Sequence, residues 1–434
     1  MDNNNITTKF FNYLMLLCSN SDVVKHYYDA KLCLLDYLSC LVGGKDYYQQ
    51  KLNIPGIGEG IQTDALRFGM YSHVLELDDG HRKGAVHVGA PVFSALIPVA
   101  LQFRIEPKFF LNGVIAGYEA TVRLACAVQP GCRKRGYHAS GICGTVGAAI
   151  GIATALKFNA KQMNTAIAAA VAGAAGVLEM QEDGSDLKPY NVGRASMDAV
   201  VAAMMGKAGL KGPYDAIGGK RGFIAVMTDT PHLEPLKDFS GDTLAVEQVY
   251  RKEYAACRHA HPAIEAALRI KSQTNISEIE KIEVLTYLQA TEGHSYIEIP
   301  TVSAAKMSIP FSVAVALVTG SADMKAFSNE SITNNTILEL TKKVEVKEDT
   351  ELTALNPQKR AAFVIVHTQH GDYSQRVDYP KGEPENPLSQ EELENKFRGL
   401  AMHGGLTSEE CDIVIGEIWK EDFSLEKIMK LISK

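Results

Sequence analysis

Between residues 8 and 208 apolar residues recur at i, i+3, i+4 spacing, and several of the runs are built from alanine and glycine. Gly144-Thr-Val-Gly147-Ala-Ala-Ile-Gly151 and Ala168-Ala-Ala-Val-Ala-Gly-Ala-Ala175 are two of them. Side chains this small let helix backbones come into contact, so the pattern predicts core helices of a tightly packed bundle. Helices are expected over 8–18, 22–41, 65–75, 91–103, 112–128, 142–157, 160–179 and 194–208. The apolar run 166–178 has 13 residues, short of the roughly 20 needed to cross a bilayer.

Past residue 245 the period changes. KIEVLTY (281–287) and KVEVK (343–347) alternate like half-exposed strands, and AFVIVHT (362–368) reads as a more buried one. Helical runs at 262–270, 310–318 and 337–342 lie among them. Tyr379-Pro-Lys-Gly-Glu-Pro-Glu-Asn-Pro387 is a polar break with three prolines. Helical patterns then return at 389–401, 408–419 and 424–433. The chain is therefore expected to be mainly α with an α+β part. Both chain ends, 1–245 and 386–434, would form a large all-helical domain, and 246–385 an inserted α+β lid. The length of 434 residues suits two or three domains.

Charge and cysteine usage narrow the function. The net charge of −7 offers no long-range pull on nucleic acid or anionic lipid, so neither partner is expected. The start, Met-Asp-Asn-Asn-Asn, lacks the basic flank and apolar core of a signal peptide. The eight cysteines, at 18, 33, 40, 126, 132, 143, 257 and 411, form no C-x-x-C pair. They read as reduced cytoplasmic thiols, with no zinc ribbon, cysteine-held iron–sulfur cluster, metal or other cofactor expected.

The spacing Gly141-x-x-Gly144-x-x-Gly147-x-x-x-Gly151 is no nucleotide loop, because helix is expected on both sides of it. G-x-S-x-G, H-E-x-x-H and the kinase motifs are missing. Cys143 and Cys257 have histidines nearby but no triad order. The densest chemistry lies in 73–91, where Glu76, Asp78, Asp79, His81 and His87 fall within twelve positions as a helix runs into a glycine-bearing loop. Carboxylates and loop histidines together make an acid–base inventory. Their spacing fits no standard metal set, and the bland alternative is a solvated helix end.

Three further segments add to it. Arg133-Lys-Arg-Gly-Tyr-His138 sets a histidine beside cations that favour its neutral form. Lys188 precedes Pro189 on an expected extended entry to a helix. Lys252-Glu-Tyr-Ala-Ala-Cys-Arg258-His-Ala-His261 stands at the expected domain boundary. Each alone suits a surface or structural role. Together, two histidines (His261 among them), Lys188, Lys252 and Arg258 suit a small polycarboxylate.

In this order, these segments resemble the MmgE/PrpD family. The matching stretches are Leu75-Glu-Leu-Asp-Asp-Gly-His81, His87 with its small neighbours, Gly136-Tyr-His138 through Gly147, Lys188-Pro-Tyr-Asn-Val-Gly-Arg-Ala195, Lys252-Glu-Tyr, Lys306-Met-Ser-Ile through Val318, and Pro387-Leu-Ser-Gln-Glu-Glu. The resemblance implies a homodimer working without an iron–sulfur cluster on a small di- or tricarboxylate. It implies active-site positions at His87, His138, Lys188 and Lys252, with an acidic position at Glu76 beside Asp78 and Asp79. Gly80 stands where the family's cis-aconitate decarboxylases have Thr, and Phe311 where they have Tyr. Two missing hydroxyls count against that substrate.

The expected activity is elimination of water from a hydroxy-polycarboxylate of the 2-methylcitrate type. His87 or His138 would move the protons, Lys188 and Lys252 would hold carboxylates, and Asp79 would orient a histidine. A dicarboxylate epimerase, a cis-aconitate-type decarboxylase and a silent carboxylate-binding protein are the rivals. An acidic chain binding a polyanion must gather its cations at the cleft, with Lys188, Lys252 and Arg258 expected there.

Overall fold

The computed structural model describes residues 5–53, 56–181, 185–241 and 243–433. Helix dominates, with a single four-stranded sheet among the described residues. The small-residue reading holds at atomic detail. A Cβ added at Gly113 would lie 2.7 Å from the Gly151 carbonyl, and one at Gly147 only 2.8 Å from the Gly117 carbonyl. The helices Pro107–Val128 and Ala139–Ala155 therefore cross backbone to backbone. A second contact of this kind positions the site. Gly69 in helix Ile61–His73 meets Gly193 in helix Lys188–Lys207, where an added Cβ would be 2.6 Å from the Gly193 Cα. The end of one helix is thereby held against the start of the other.

Two expected helices are reshaped. The run 22–41 becomes a 3-10 turn, Ser21–His26, followed by a longer helix, Tyr27–Leu52. The run 160–179 stops at Gly173, and a separate 3-10 turn covers Leu178–Gln181. Between them Gly176 adopts φ 131°, which glycine tolerates. Its carbonyl accepts the His138 N–H at 3.1 Å. Backbone pairing with the site has overridden helix propensity there. Lys188 is the first residue of its helix, with Pro189 in the first turn, so the entry is helical and not extended.

The strands are β1 Ile279–Thr286, β2 Val344–Glu348, β3 Ala362–Thr368 and β4 Gly371–Val377, in the order β2-β1-β3-β4. β2 runs parallel to β1, and the other pairs are antiparallel. Ile282, Val284, Val364 and Val366 turn to the buried face, against helices His261–Lys271 and Ile309–Thr319. β4 was not expected from sequence. Its GDYSQRV is polar because it is an exposed edge strand.

Buried apolar residues fall into two clusters. One is drawn from 10–249 together with 388–432, and the other mainly from 255–377. Lys396, on helix Gln390–His403, ties the two. Its ammonium donates at 2.7 Å to Asp36 Oδ1 and to the carbonyls of Leu77 and Lys252. Among the described residues no helix is long and apolar enough to cross a membrane.

Candidate active site

A cavity of about 760 Å³ lies where the helical ends meet the sheet-bearing part, within the size range of small-molecule sites. Glu76, His87, His138, Lys188, Lys252 and Arg258 all line it. Glu76 follows helix Ile61–His73 and sits at φ 59°, a left-handed conformation that costs on the order of 1–3 kcal/mol. Two ammonium groups hold it there. Lys188 donates to Oε1, and Lys252 to Oε2 at 3.1 Å. Burial opposes ionisation of Glu76, yet Lys188 and Lys252 hold its carboxyl well below the usual range. Lys252 is fully buried. Burial would lower its pKa, but Glu76 raises it further, so it stays protonated.

Asp78 is a second carboxylate kept ionised against burial, here by His73 and His87. Its Oδ2 takes the His73 Nδ1 at 2.8 Å and the His87 Nδ1 at 3.0 Å. The His87 Nδ1 also lies 2.9 Å from the Asp79 carbonyl. Two acceptors facing Nδ1 make it the protonated nitrogen, so the lone pair falls on Nε2. Burial draws His87 down to about 4 despite Asp78. His138 is also held well below its ordinary value, by burial first and then by His73 and Lys188. Both site imidazoles are neutral near pH 7.

Other expected site residues lie elsewhere. The Asp79 side chain orients no histidine. Its Oδ1 accepts the Gly89 N–H at 2.7 Å at the start of helix Gly89–Phe103, and its Oδ2 accepts the Tyr118 hydroxyl at 2.6 Å. Burial raises this carboxyl to about 7, and it does not line the cavity. The His81 Nδ1 accepts the Gly84 N–H at 3.1 Å, which folds the loop. Arg258 reaches the cavity, but Glu383 already meets its charge at 3.0 and 2.8 Å. His261 lies behind it and accepts from Arg258 at 2.8 Å. Phe311 packs against Phe327 in the core and does not line the cavity. Gly80 does not line it either. A Cβ there would lie 2.4 Å from the Tyr250 hydroxyl, and Tyr250 itself forms the cavity wall.

The free cations come from elsewhere in the chain. Arg360 lines the cavity, and its buried Nε has no partner. Its Nη2 donates to the Arg82 carbonyl at 2.9 Å, and no ion pair to a carboxylate is formed by it among the described residues. Lys306 is 3% exposed and donates to the Leu75 carbonyl at 3.2 Å. Burial brings its pKa down to about 8.

Two groups collect potential metal donors, His73-Asp78-His87 and Cys257-His259-His294, each with its atoms within 4.8 Å of one another. In the first, both Nδ1 atoms are spent on Asp78. In the second, the Cys257 sulfur and His294 Nε2 stand 4.0 Å apart, while the His294 Nδ1 faces the Met307 carbonyl and the His259 Nδ1 the Tyr287 hydroxyl.

The MmgE/PrpD N-terminal domain model matches residues 55–236, and the MmgE/PrpD C-terminal domain model matches 254–421. The chain belongs to the MmgE/PrpD family. Similar proteins include a cis-aconitate decarboxylase-like protein of Aspergillus oryzae, 23% identical over 92% of this chain and 90% of that one. The cis-aconitate decarboxylase of Aspergillus terreus is 23% identical, covering 91% and 89%. The human cis-aconitate decarboxylase is 23% identical over 77% and 71%. In this MmgE/PrpD chain the contiguous 76–87 segment signalled the site from sequence. Lys306 appeared only inside a matching stretch, and no sequence signal pointed to Arg360 or His294.

Proposed function

We propose that this protein is a lyase that removes water from a small hydroxy-polycarboxylate, of the 2-methylcitrate type, by abstracting a proton α to a carboxylate. The observation that carries the reading is a neutral, carboxylate-oriented imidazole sharing one cavity with buried ammonium groups. A proton α to a carboxylate is very weakly acidic. Its removal needs a fixed base and cations placed where the enediolate charge develops. His87 Nε2 is the base. Lys188 and Lys252, held by Glu76, face the developing charge, and Arg360 binds a carboxylate. Lys306 protonates the departing hydroxyl, while His138 bonds to it. Elimination needs no thiolate-held cluster here, since Cys257 is the one cysteine of the eight that lines the cavity and such clusters take several thiolates.

Decarboxylation is the second reading, favoured by the cis-aconitate decarboxylases to which the chain is similar. It needs no base to remove a carbon-bound proton, so the orientation of His87 by Asp78 favours elimination. With 2-methylcitrate, citrate and cis-aconitate supplied in turn, alkene absorbance should rise with a hydroxy acid. Carbon dioxide released from cis-aconitate without any such rise would replace elimination by decarboxylation. Neither signal would end both readings.

The pH profile of kcat/KM should be bell-shaped. A base works above its pKa, so activity rises as pH passes the His87 value of about 4. An acid works below its pKa, so activity falls past the Lys306 value of about 8. Lys306→Arg, whose guanidinium does not give up its proton, should lower kcat and abolish the alkaline limb near 8. A limb that stays in place takes the acid role from Lys306.

A further inference from the structure

The elimination scheme leaves one reactive group in the cavity unused. Cys257 is partly exposed there, and its backbone N–H donates to the Lys306 carbonyl at 2.8 Å, which fixes its position. Its sulfur lies 4.0 Å from His294 Nε2. The His294 Nδ1 faces the Met307 carbonyl at 3.1 Å, so Nδ1 carries the proton and the Nε2 lone pair points at the thiol. His259 stacks on His294 with ring centroids 5.0 Å apart, and its own Nδ1 is engaged by the Tyr287 hydroxyl at 2.6 Å. Arg133, Lys188, Lys252 and Arg360 line the same cavity.

Burial by itself would push the Cys257 thiol up, but His294 and then Lys188 bring it down to about 6. Burial raises the other seven thiols. A nucleophilic sulfur thus stands in a cavity whose basic side chains, with Arg258 and Lys306 added, outnumber its carboxylates Glu76, Asp186, Glu292 and Glu298, and sulfur reacts as the thiolate.

We propose that Cys257 is a covalent-modification site for carboxylate-bearing electrophiles, namely unsaturated acids with an electron-poor double bond and acids with a leaving group beside the carboxylate. With an unsaturated acid, the sulfur bonds to the β-carbon and the π pair moves to the α-carbon. That carbon takes from His294 Nε2 the proton that the thiol gave up. The net change is addition of S–H across the double bond, with no oxidant or reductant. With a haloacid, an S–C bond forms and halide leaves. The inference rests on the reading of the cavity as a carboxylate site. Its consequence is that an unsaturated product, when it accumulates, closes the cavity covalently.

Alkylation of the full-length protein at pH 7 by iodoacetate and by iodoacetamide, followed by peptide mass mapping, tests the site. Ordinary thiols react faster with the neutral reagent. At Cys257 the order should invert, with iodoacetate ahead by about tenfold through attraction to the lining cations. Maleate should leave its addition product on the same peptide. His294→Asn should slow the reaction while the melting temperature stays unchanged. Iodoacetamide ahead of iodoacetate at Cys257, or Cys257 spared while Cys18 and Cys126 react, overturns the proposal. If His294→Asn does not fold, the reagent order on the unaltered protein still decides. Adduct formation requires no turnover, so a chain that converts no hydroxy acid but binds iodoacetate at Cys257 loses the lyase reading alone.

Discussion

Replacing His87 with Asn lowers kcat by about 10²–10⁴-fold, the usual contribution of a positioned general base. The amide of Asn keeps a donor for Asp78 Oδ2 and the Asp79 carbonyl, which receive the His87 Nδ1 at 3.0 and 2.9 Å. The lone pair at Nε2 is lost. Because the replacement preserves the buried hydrogen bonds, thermal unfolding should match the parent, and KM should move little. Asp78→Asn should lower kcat in the same direction by another route. An amide can donate to Nδ1 and so favour the tautomer with its lone pair there. Exchange of the substrate's α-proton with deuterated solvent gives an independent reading and should vanish in His87→Asn. An Asn variant that retains kcat within about threefold, with exchange intact, removes His87 from proton transfer.

The fold was legible where local pattern and tertiary packing agreed. The Ala/Gly helices are the clearest case, since the residues that made the pattern unusual are those at the crossings, Gly113, Gly147 and Gly151. Legibility failed where distant contacts decided. The helix expected to reach residue 179 is cut short because 176 pairs with His138. The β4 sequence carries no apolar alternation because one side of it has no neighbouring strand.

The site divides in the same way. Glu76, Asp78 and His87 lie within one loop, so their spacing was visible. Arg258 looked like a free cation because Glu383, its neutralising partner, is 125 positions away. Lys306 and Arg360 gain their chemistry from burial and from missing partners, neither of which a residue type reveals. Gly80 gains its meaning from a residue 170 positions away, since a Cβ there would lie 2.4 Å from the Tyr250 hydroxyl and the position is closed to a side chain.

The largest stability effect should come from Lys252→Met. This change leaves Glu76 buried with one ammonium partner in place of two, and breaking a buried pair from one side costs about 3–5 kcal/mol. Glu76→Gln should cost a similar amount, since it strands two ammonium groups. Carried together, the two changes should cost less than the sum of the single changes, because the apolar Met and the neutral amide no longer oppose each other. Activity should behave differently. If Lys252 stabilises the developing enediolate, the double variant stays about 10²–10³-fold below the parent in kcat, as when one preorganised donor is removed. Chemical unfolding and steady-state kinetics on the four proteins of this cycle separate the two roles. Additive stability losses would mean that the observed ion pair is energetically idle. Activity returning with stability in the double variant would mean that Lys252 serves only to hold Glu76 at its left-handed position, and the cationic role would then pass to Lys188 and Lys306.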